Sequence, residues 1–362
     1  MPLRNIIIVI IFIFIIGGCS AAEEEKDTPM LKPSEDVDDI SVKTSVWMVD
    51  WDAEKSLDDV SSSLSNVDNI ILFGNYFDEN EKLFTTLEGQ YLIDELLQQP
   101  IRTDKQVYLS LVNDQFLEDG STIQKSPDLI KNLMQSEETR KKHIEEIMNY
   151  AASIPIDGVE IDYEKIPEEY ISSYLQFLEE LSEQLSGKGL ALRVVLEPSF
   201  PVEQYTLPEH IDYSIMTYNL YGMHSGPGPK TDKNFLKSLA DMYSNQAATI
   251  EFALSTGGFS WKDNYVTSLS ENEVEDLINV NNVTPVRDHE SGALTFIYEE
   301  DKQEVEVWYA DAETLTEWAK LLAEEGEYYT FSFWRAGGLS EDTLRRINQL
   351  EEVLTQKNKE ET

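Results

Sequence analysis

Residues Ile154 to Pro167 read IPIDGVEIDYEKIP. Within this run, Val159, Ile161 and Tyr163 alternate with Glu160, Asp162 and Glu164, the period of two that marks a β-strand with two distinct faces. Three carboxylates therefore share one face. Same-face residues on a strand stand roughly 6.6 Å apart, so three ionised carboxylates in a row repel, and the repulsion pushes at least one pKa upward. A carboxyl that holds its proton near neutral pH is what a general acid requires, and acidic neighbours with separated pKa values divide into acid and stabiliser. The competing reading is a solvated acidic edge, because a chain with 69 Asp and Glu against 28 Lys and Arg produces acidic triplets by chance.

The run from Asp157 to Glu164, DGVEIDYE, resembles the DGxDxDxE signature of family 18 glycoside hydrolases, the chitinase-like (β/α)8 barrels. Glu160 departs from it, standing where the family has Asp or Asn. The resemblance implies that Glu164 is the catalytic acid and that Asp162 orients and stabilises the acetamido group of the substrate, with Glu160 and Asp157 in support. It also implies a hydrogen bond between the residue at 160 and Asp162. Met216, Thr217, Tyr218 and Asn219 resemble the family's MxYD motif, which implies that Tyr218 donates to the acetamido oxygen, with Asn219 in place of Asp. Phe333 and Trp334 resemble the closing FW pair, which implies that Trp334 floors the subsite of the reacting sugar.

Outward from this stretch, short apolar runs alternate with helical patterns, the arrangement of βα units on a parallel sheet. Eight strands are expected: 45–51, 69–75, 106–113, 158–164, 191–197, 213–218, 249–255 and 329–334. Eight strands imply a closed (β/α)8 TIM barrel, which needs about 250 residues. The span 168–185 reads as a helix, with Tyr170, Tyr174, Phe177, Leu178 and Leu181 at helical spacing. The seventh connection is long. Residues 293–300 and 303–310 form a predicted hairpin within a small β-rich insertion at about 262–311, between strand 7 and helix 7. Its VWYADAETL, residues 307–315, resembles the bacterial branch of the family that includes spore-cortex peptidoglycan N-acetylglucosaminidases. The barrel is expected over 44–350, with a charged tail at 351–362.

Function in such barrels concentrates at the C-terminal ends of strands, which nominates Trp51, Tyr76, Asn113, Met216, Asn219 and Trp334 as substrate-binding residues beside Glu164 and Tyr218. A net charge of −41 argues against nucleic acid, whose phosphates demand clustered Lys and Arg. The four histidines show no metal-ligand spacing, and no serine nucleophile elbow is present; neither metal nor cofactor is expected. At the N-terminus, Arg4 precedes the apolar run Ile6 to Ile16, the layout of a secretory signal. Ile16, Gly17, Gly18 and Cys19 resemble a bacterial lipobox, which implies removal of residues 1–18, a lipid on Cys19 and an extracytoplasmic, membrane-anchored protein. Residues 19–43, polar and acidic, are expected to be a flexible tether. Together the motifs imply a monomeric glycosidase that cleaves β-1,4 bonds next to N-acetylglucosamine, in peptidoglycan or chitin-type oligomers, by substrate-assisted retaining catalysis. A catalytically silent chitinase-like lectin is the alternative, favoured only by Glu160 and Asn219.

Overall fold

The computed structural model describes residues 41–360. Cys19, the rest of the expected lipobox and most of the expected tether lie outside the described residues. Eight parallel strands form the barrel: β1 (Lys43–Val49), β2 (Asn69–Asp78), β3 (Gln106–Phe116), β4 (Gly158–Asp162), β5 (Ala191–Leu196), β6 (Asp212–Met216), β7 (Thr249–Ser255) and β8 (Thr330–Trp334). Each pairs with the next, and β8 pairs with β1 through Val46 and Phe333, which closes the sheet. All eight strands fall where the sequence puts them, within a few residues at each end. Lys43 already pairs with Thr330, so the barrel starts inside the last residue of the expected tether.

The period of two does double duty in a closed sheet. Val46, Met48, Ile70, Leu72, Val107, Leu109, Val159 and Ile161 pack against buried helix residues such as Leu92, Ile144, Phe177 and Leu181. Their neighbours Trp47, Val49, Ile71, Phe73, Tyr108, Val112, Val195 and Met216 form a separate cluster inside the barrel. Each fully buried side chain of this size contributes about 1.5–3 kcal/mol, which is why neither face of these strands is solvated. Gly158, the first residue of β4, is required by space: a Cβ there would lie 2.5 Å from the Tyr108 ring and 2.7 Å from the Ala191 carbonyl oxygen.

The helix expected from residue 168 begins as a 3-10 turn, Glu168–Tyr170, and continues as an α-helix over Ile171–Ser186. Beyond residue 350 the structure departs from the expected charged tail. Leu350–Glu360 is helical, and Leu350 and Leu354, one turn apart, are both buried in the main core. Glu351 and Glu352 between them, and the charged residues that follow, mask that apolar pair in the sequence.

The insertion is larger than a hairpin. Strands Leu294–Glu300 and Gln303–Ala310 pair as expected, around a turn whose residues Asp301 and Lys302 both have positive φ, the two-residue geometry that suits a twisted hairpin. Gly257–Lys262, Tyr265–Leu269 and Val286–Arg287 complete a five-stranded antiparallel sheet, against which the helix Glu271–Asn281 packs Val274 onto Phe296 and Val307. The sheet leaves the barrel one residue after β7. Gly257 makes that departure possible, with φ +58 and a would-be Cβ only 2.2 Å from the Leu269 carbonyl oxygen; no other residue fits such a place.

Candidate active site

At the C-terminal mouth of the barrel a cavity of about 360 Å³ is lined by Trp47, Trp51, Phe73, Asp114, Lys125, Asp162, Glu164, Tyr218, Asn219 and Trp334, among others. Trp334 is its aromatic centre. Its ring lies 5.1 Å from Phe73 and 5.7 Å from Trp47, both edge-on, and 6.5 Å from Tyr218 at an interplanar angle of 15°. Trp51, 56% exposed, stands at the rim 6.3 Å from Trp334. Such rings offer apolar area with polar edges, the surface a sugar face stacks on.

Glu164 lies two residues past β4, and its main chain is fixed by Asn113. The Asn113 Nδ2 donates to the Glu164 carbonyl at 2.9 Å, and the Glu164 N–H donates to Asn113 Oδ1 at 3.0 Å. A side-chain amide thus continues the β3–β4 ladder beyond the end of the strand. Asn113 is wholly buried and positions Glu164 rather than facing the cavity. Tyr76 is likewise beneath the surface: its hydroxyl donates to Asp50 Oδ1 at 3.0 Å, while Thr86 donates to Asp50 Oδ2 at 2.6 Å. Met216 and Asn219 do line the cavity, with Asn219 Nδ2 3.7 Å from Met216 Sδ.

Asp157 lies apart from all of these. It precedes β4, at the opposite mouth of the barrel, where Oδ2 accepts from the Val107 N–H at 2.8 Å and pairs with Arg102 at 2.9 Å. Its contribution is to the register of β3 against β4. Strand direction alone separates it from Glu164.

Glu160 points into the barrel and away from Asp162. Its oxygens accept from Trp47 Nε1 at 2.7 Å and from Arg193 Nε at 2.5 Å. Arg193 also donates to Glu251 from Nη1 at 2.8 Å and from Nη2, and Glu251 accepts from Ser45 and Ser214. The extra methylene of Glu over Asp carries the carboxylate into this network, so the expected hydrogen bond from residue 160 to Asp162 is replaced by bonds to Trp47 and Arg193.

Asp162 finds a different partner, one that sequence reasoning missed. Lys125, on the connection after β3, places Nζ 3.1 Å from Asp162 Oδ2 and 2.7 Å from Glu164 Oε1. Its own N–H donates to Asp114 Oδ1 at 2.8 Å, and its ammonium lies 5.7 Å from the Phe73 ring. Among the described residues, Asp162 Oδ1 has no hydrogen-bond partner although it is buried. Burial pushes the Asp162 carboxyl up to about 7; the Lys125 charge draws it down, while Glu164 and Glu160 push it up. Burial, with Asp162, Glu164 and Glu160 nearby, holds the Tyr218 hydroxyl well above the ordinary phenol range, so it remains a donor. A protonatable carboxyl, a tyrosyl donor and a free carboxylate oxygen therefore converge over an aromatic floor. That set can hold an amide through both its N–H and its carbonyl while a proton is delivered beside it.

The profile of glycosyl hydrolases family 18 matches residues 49–338 of the chain. The uncharacterized glycosylase YvbX of Bacillus subtilis (strain 168) is 23% identical over 239 residues, which is 61% of this chain and 69% of that protein. Among solved structures, the spore cortex-lytic enzyme SleL of Bacillus cereus superposes with a TM-score of 0.71 at 19% identity, over 84% of this chain and 73% of that one. A chitinase from Chromobacterium violaceum ATCC 12472 superposes with a TM-score of 0.72 at 16% identity, over 86% and 99%.

Proposed function

The chain belongs to glycosyl hydrolase family 18 and is a glycosidase, and from that premise we propose that it hydrolyses β-1,4 bonds next to N-acetylglucosamine in peptidoglycan, by substrate-assisted catalysis with retention. The observation that carries the reading is the unpartnered Asp162 Oδ1, buried in the cavity beside Tyr218 and Glu164. A buried carboxylate oxygen without a donor is costly, and an acetamido N–H supplies the missing donor. This family is an exception to the two-carboxylate rule for retaining enzymes. Glu164 protonates the glycosidic oxygen as the C1–O bond breaks, and the acetamido oxygen bonds to C1 in its place. Tyr218 and Asp162 hold the acetamide in line, and the ionised Asp162 stabilises the positive charge on its nitrogen. Water then opens the cyclic intermediate at C1 and gives its proton to Glu164.

Peptidoglycan is favoured over chitin by the likeness to enzymes named as spore cortex-lytic and by the lipobox-like residues 16–19, which imply a lipid on Cys19 and a position outside the cytoplasmic membrane. Cys19→Ala is then expected to move the protein from the membrane fraction to the medium; unchanged membrane association removes the anchor from the reading. For the reaction, purified peptidoglycan and fully N-acetylated chitin oligomers are incubated with the enzyme, and reducing ends and the first-formed anomer are followed by proton NMR. Release from peptidoglycan with β configuration is expected, and resistance of substrates with a free amine at the reacting sugar. An initial α anomer, or equal rates on acetylated and deacetylated sugars, overturns the mechanism. Binding of both glycans without release favours the silent lectin.

A further inference from the structure

Asp162 has lost the partner that the family signature supplies, because both oxygens of Glu160 are taken by Trp47 and Arg193 inside the barrel. One cation fills the gap. Lys125 Nζ bonds Asp162 Oδ2 and Glu164 Oε1 at once, and its side chain is itself 17% exposed between partners at 7% and 16%. Its place is not casual. The backbone at Lys125 has φ +51, a conformation that a residue with a β-carbon adopts at some cost, and it is held there by the bond from its N–H to Asp114 and by Ser126, which follows it as the N-cap of the helix Pro127–Met134. A flexible surface lysine would have neither restraint.

From this geometry we infer that Lys125 is a positioning residue of the reaction, taking over the role of residue 160: it holds Oδ2 of Asp162 so that Oδ1 faces the acetamide, and it keeps Asp162 ionised. The inference rests on the hydrolytic reading above. The charged and titratable groups that face the pair are Tyr76 on β2, Asp114 at the end of β3, Glu160 and Glu164 on and after β4, Lys165 and Glu197 at the adjoining strand ends, Tyr174 on the helix Ile171–Ser186 and Tyr218 after β6. All but Lys165 and the three neutral tyrosines are acids, and Arg193 lies on the far side of Glu160 bound to it. Lys125 is therefore the cation in direct contact with Asp162. Although burial opposes a charged amine, the Asp162, Glu164 and Asp114 carboxylates raise the Lys125 pKa above the ordinary lysine value, so the charge is present across the working pH range.

The sign of the consequence is fixed. An opposite charge in contact lowers a carboxyl by about 1–3 pH units, so Lys125→Met raises the pH at which Asp162 ionises. Activity that needs ionised Asp162 is lost as pH falls through its pKa, which stands at about 7 in the parent protein. A rise of one unit cuts the ionised fraction at pH 7 roughly fivefold, with recovery at higher pH. Lys125→Gln, which keeps a hydrogen-bond donor but no charge, is expected to shift the acidic limb of kcat in the same direction, and Lys125→Arg to restore it. A lysine that merely fills space moves stability and leaves that limb in place.

The experiment has two arms on the full chain, after thermal unfolding shows that each variant folds. Carboxyl ¹³C NMR titration, with the Asp162 signal assigned through Asp162→Asn, reads the ionisation directly and needs no turnover. The pH dependence of kcat on peptidoglycan reads its use. An upward shift in both arms for Met and Gln, reversed by Arg, supports the inference; an unmoved Asp162 titration overturns it, whichever variants fold. A shift in the NMR arm from a parent enzyme that releases no reducing ends from any glycan instead overturns the hydrolytic reading and leaves the Asp162–Lys125 coupling standing.

Discussion

Two cation–carboxylate clusters hang from the same strand and differ in what they leave undone. Inside the barrel, Arg193 joins Glu160 and Glu251, Trp47 donates to the Glu160 oxygen that Arg193 leaves, and Ser45 and Ser214 add a second donor to each oxygen of Glu251. Two residues along β4, Lys125 joins Asp162 and Glu164, and one oxygen of Asp162 is left without a donor. The first cluster is sealed: Glu160 has 0% of its surface exposed and Arg193 2%. The second opens into the cavity. Alternation along a strand sets both on the inner face, and depth alone separates structure from chemistry. Buried charge is tolerated where every lone pair is met, and an unmet one at the mouth of a barrel marks the place where a ligand completes the set.

A crossed pair of substitutions tests this division and carries the largest effects. Glu164→Gln keeps volume but delivers no proton, so kcat is expected to fall about 10²–10⁴-fold while binding persists. The unfolding midpoint in urea stays near that of the parent. Arg193→Met does the reverse: removing one partner of a buried ion pair costs about 3–5 kcal/mol, read as a lower urea midpoint, while the folded fraction keeps its turnover at a pH above the acidic limb, where Asp162 stays ionised with Glu160 unmasked. Should Arg193→Met abolish turnover without loss of stability, the inner cluster belongs to the catalytic machinery and the comparison collapses.

Much of this was legible in the sequence because it is periodic or contiguous. The strands are apolar alternations bounded by polar turns, and the fourth carries Glu160 and Asp162, with Glu164 two residues past its end in the same alternation, so the side-chain direction of the first two follows from spacing alone. Residues that act across the fold were not legible. Lys125 sits in Gln124–Lys125–Ser126–Pro127, a loop whose one signal is the helix cap that follows it; contact with Asp162 is made by the path of the loop over the end of the third strand. Asn113 ends a strand, which marks it as a candidate substrate contact, yet an amide at that point is as able to extend the ladder by side chain, and it bonds the Glu164 main chain. The difference between Glu and Asp at 160 decides which network the carboxylate joins, and that depends on Arg193, which stands in another strand with no local mark. The extent of the insertion is hidden for a similar reason: Gly257–Lys262 and Tyr265–Leu269 are short, partly polar strands that become part of a sheet only because the first pairs with 303–310 and the second with the first.

The smallest effect is the one that joins the two clusters. Glu160→Gln keeps the shape of the side chain and removes its charge. One amide oxygen replaces two acceptors, so either Trp47 Nε1 or Arg193 Nε meets an NH₂ group, at a cost of about 1–3 kcal/mol in stability. The catalytic consequence has a definite sign. Burial is the main reason that the Asp162 carboxyl stands at about 7, and the negative charge of Glu160 is a lesser one acting in the same direction. With that charge gone, Asp162 ionises at lower pH, and the acidic limb of kcat moves down, opposite to the movement expected for Lys125→Met. The shift is expected to be less than about one unit, because burial persists and Arg193 already neutralises much of the charge at 160. The double variant Glu160→Gln, Lys125→Met should fall between the singles, since both act on one carboxyl. No shift in Glu160→Gln where Lys125→Met gives one would mean that the sealed cluster is electrically silent toward the open one, and an upward shift would mean that rearranged hydrogen bonds, not the charge at 160, couple the two.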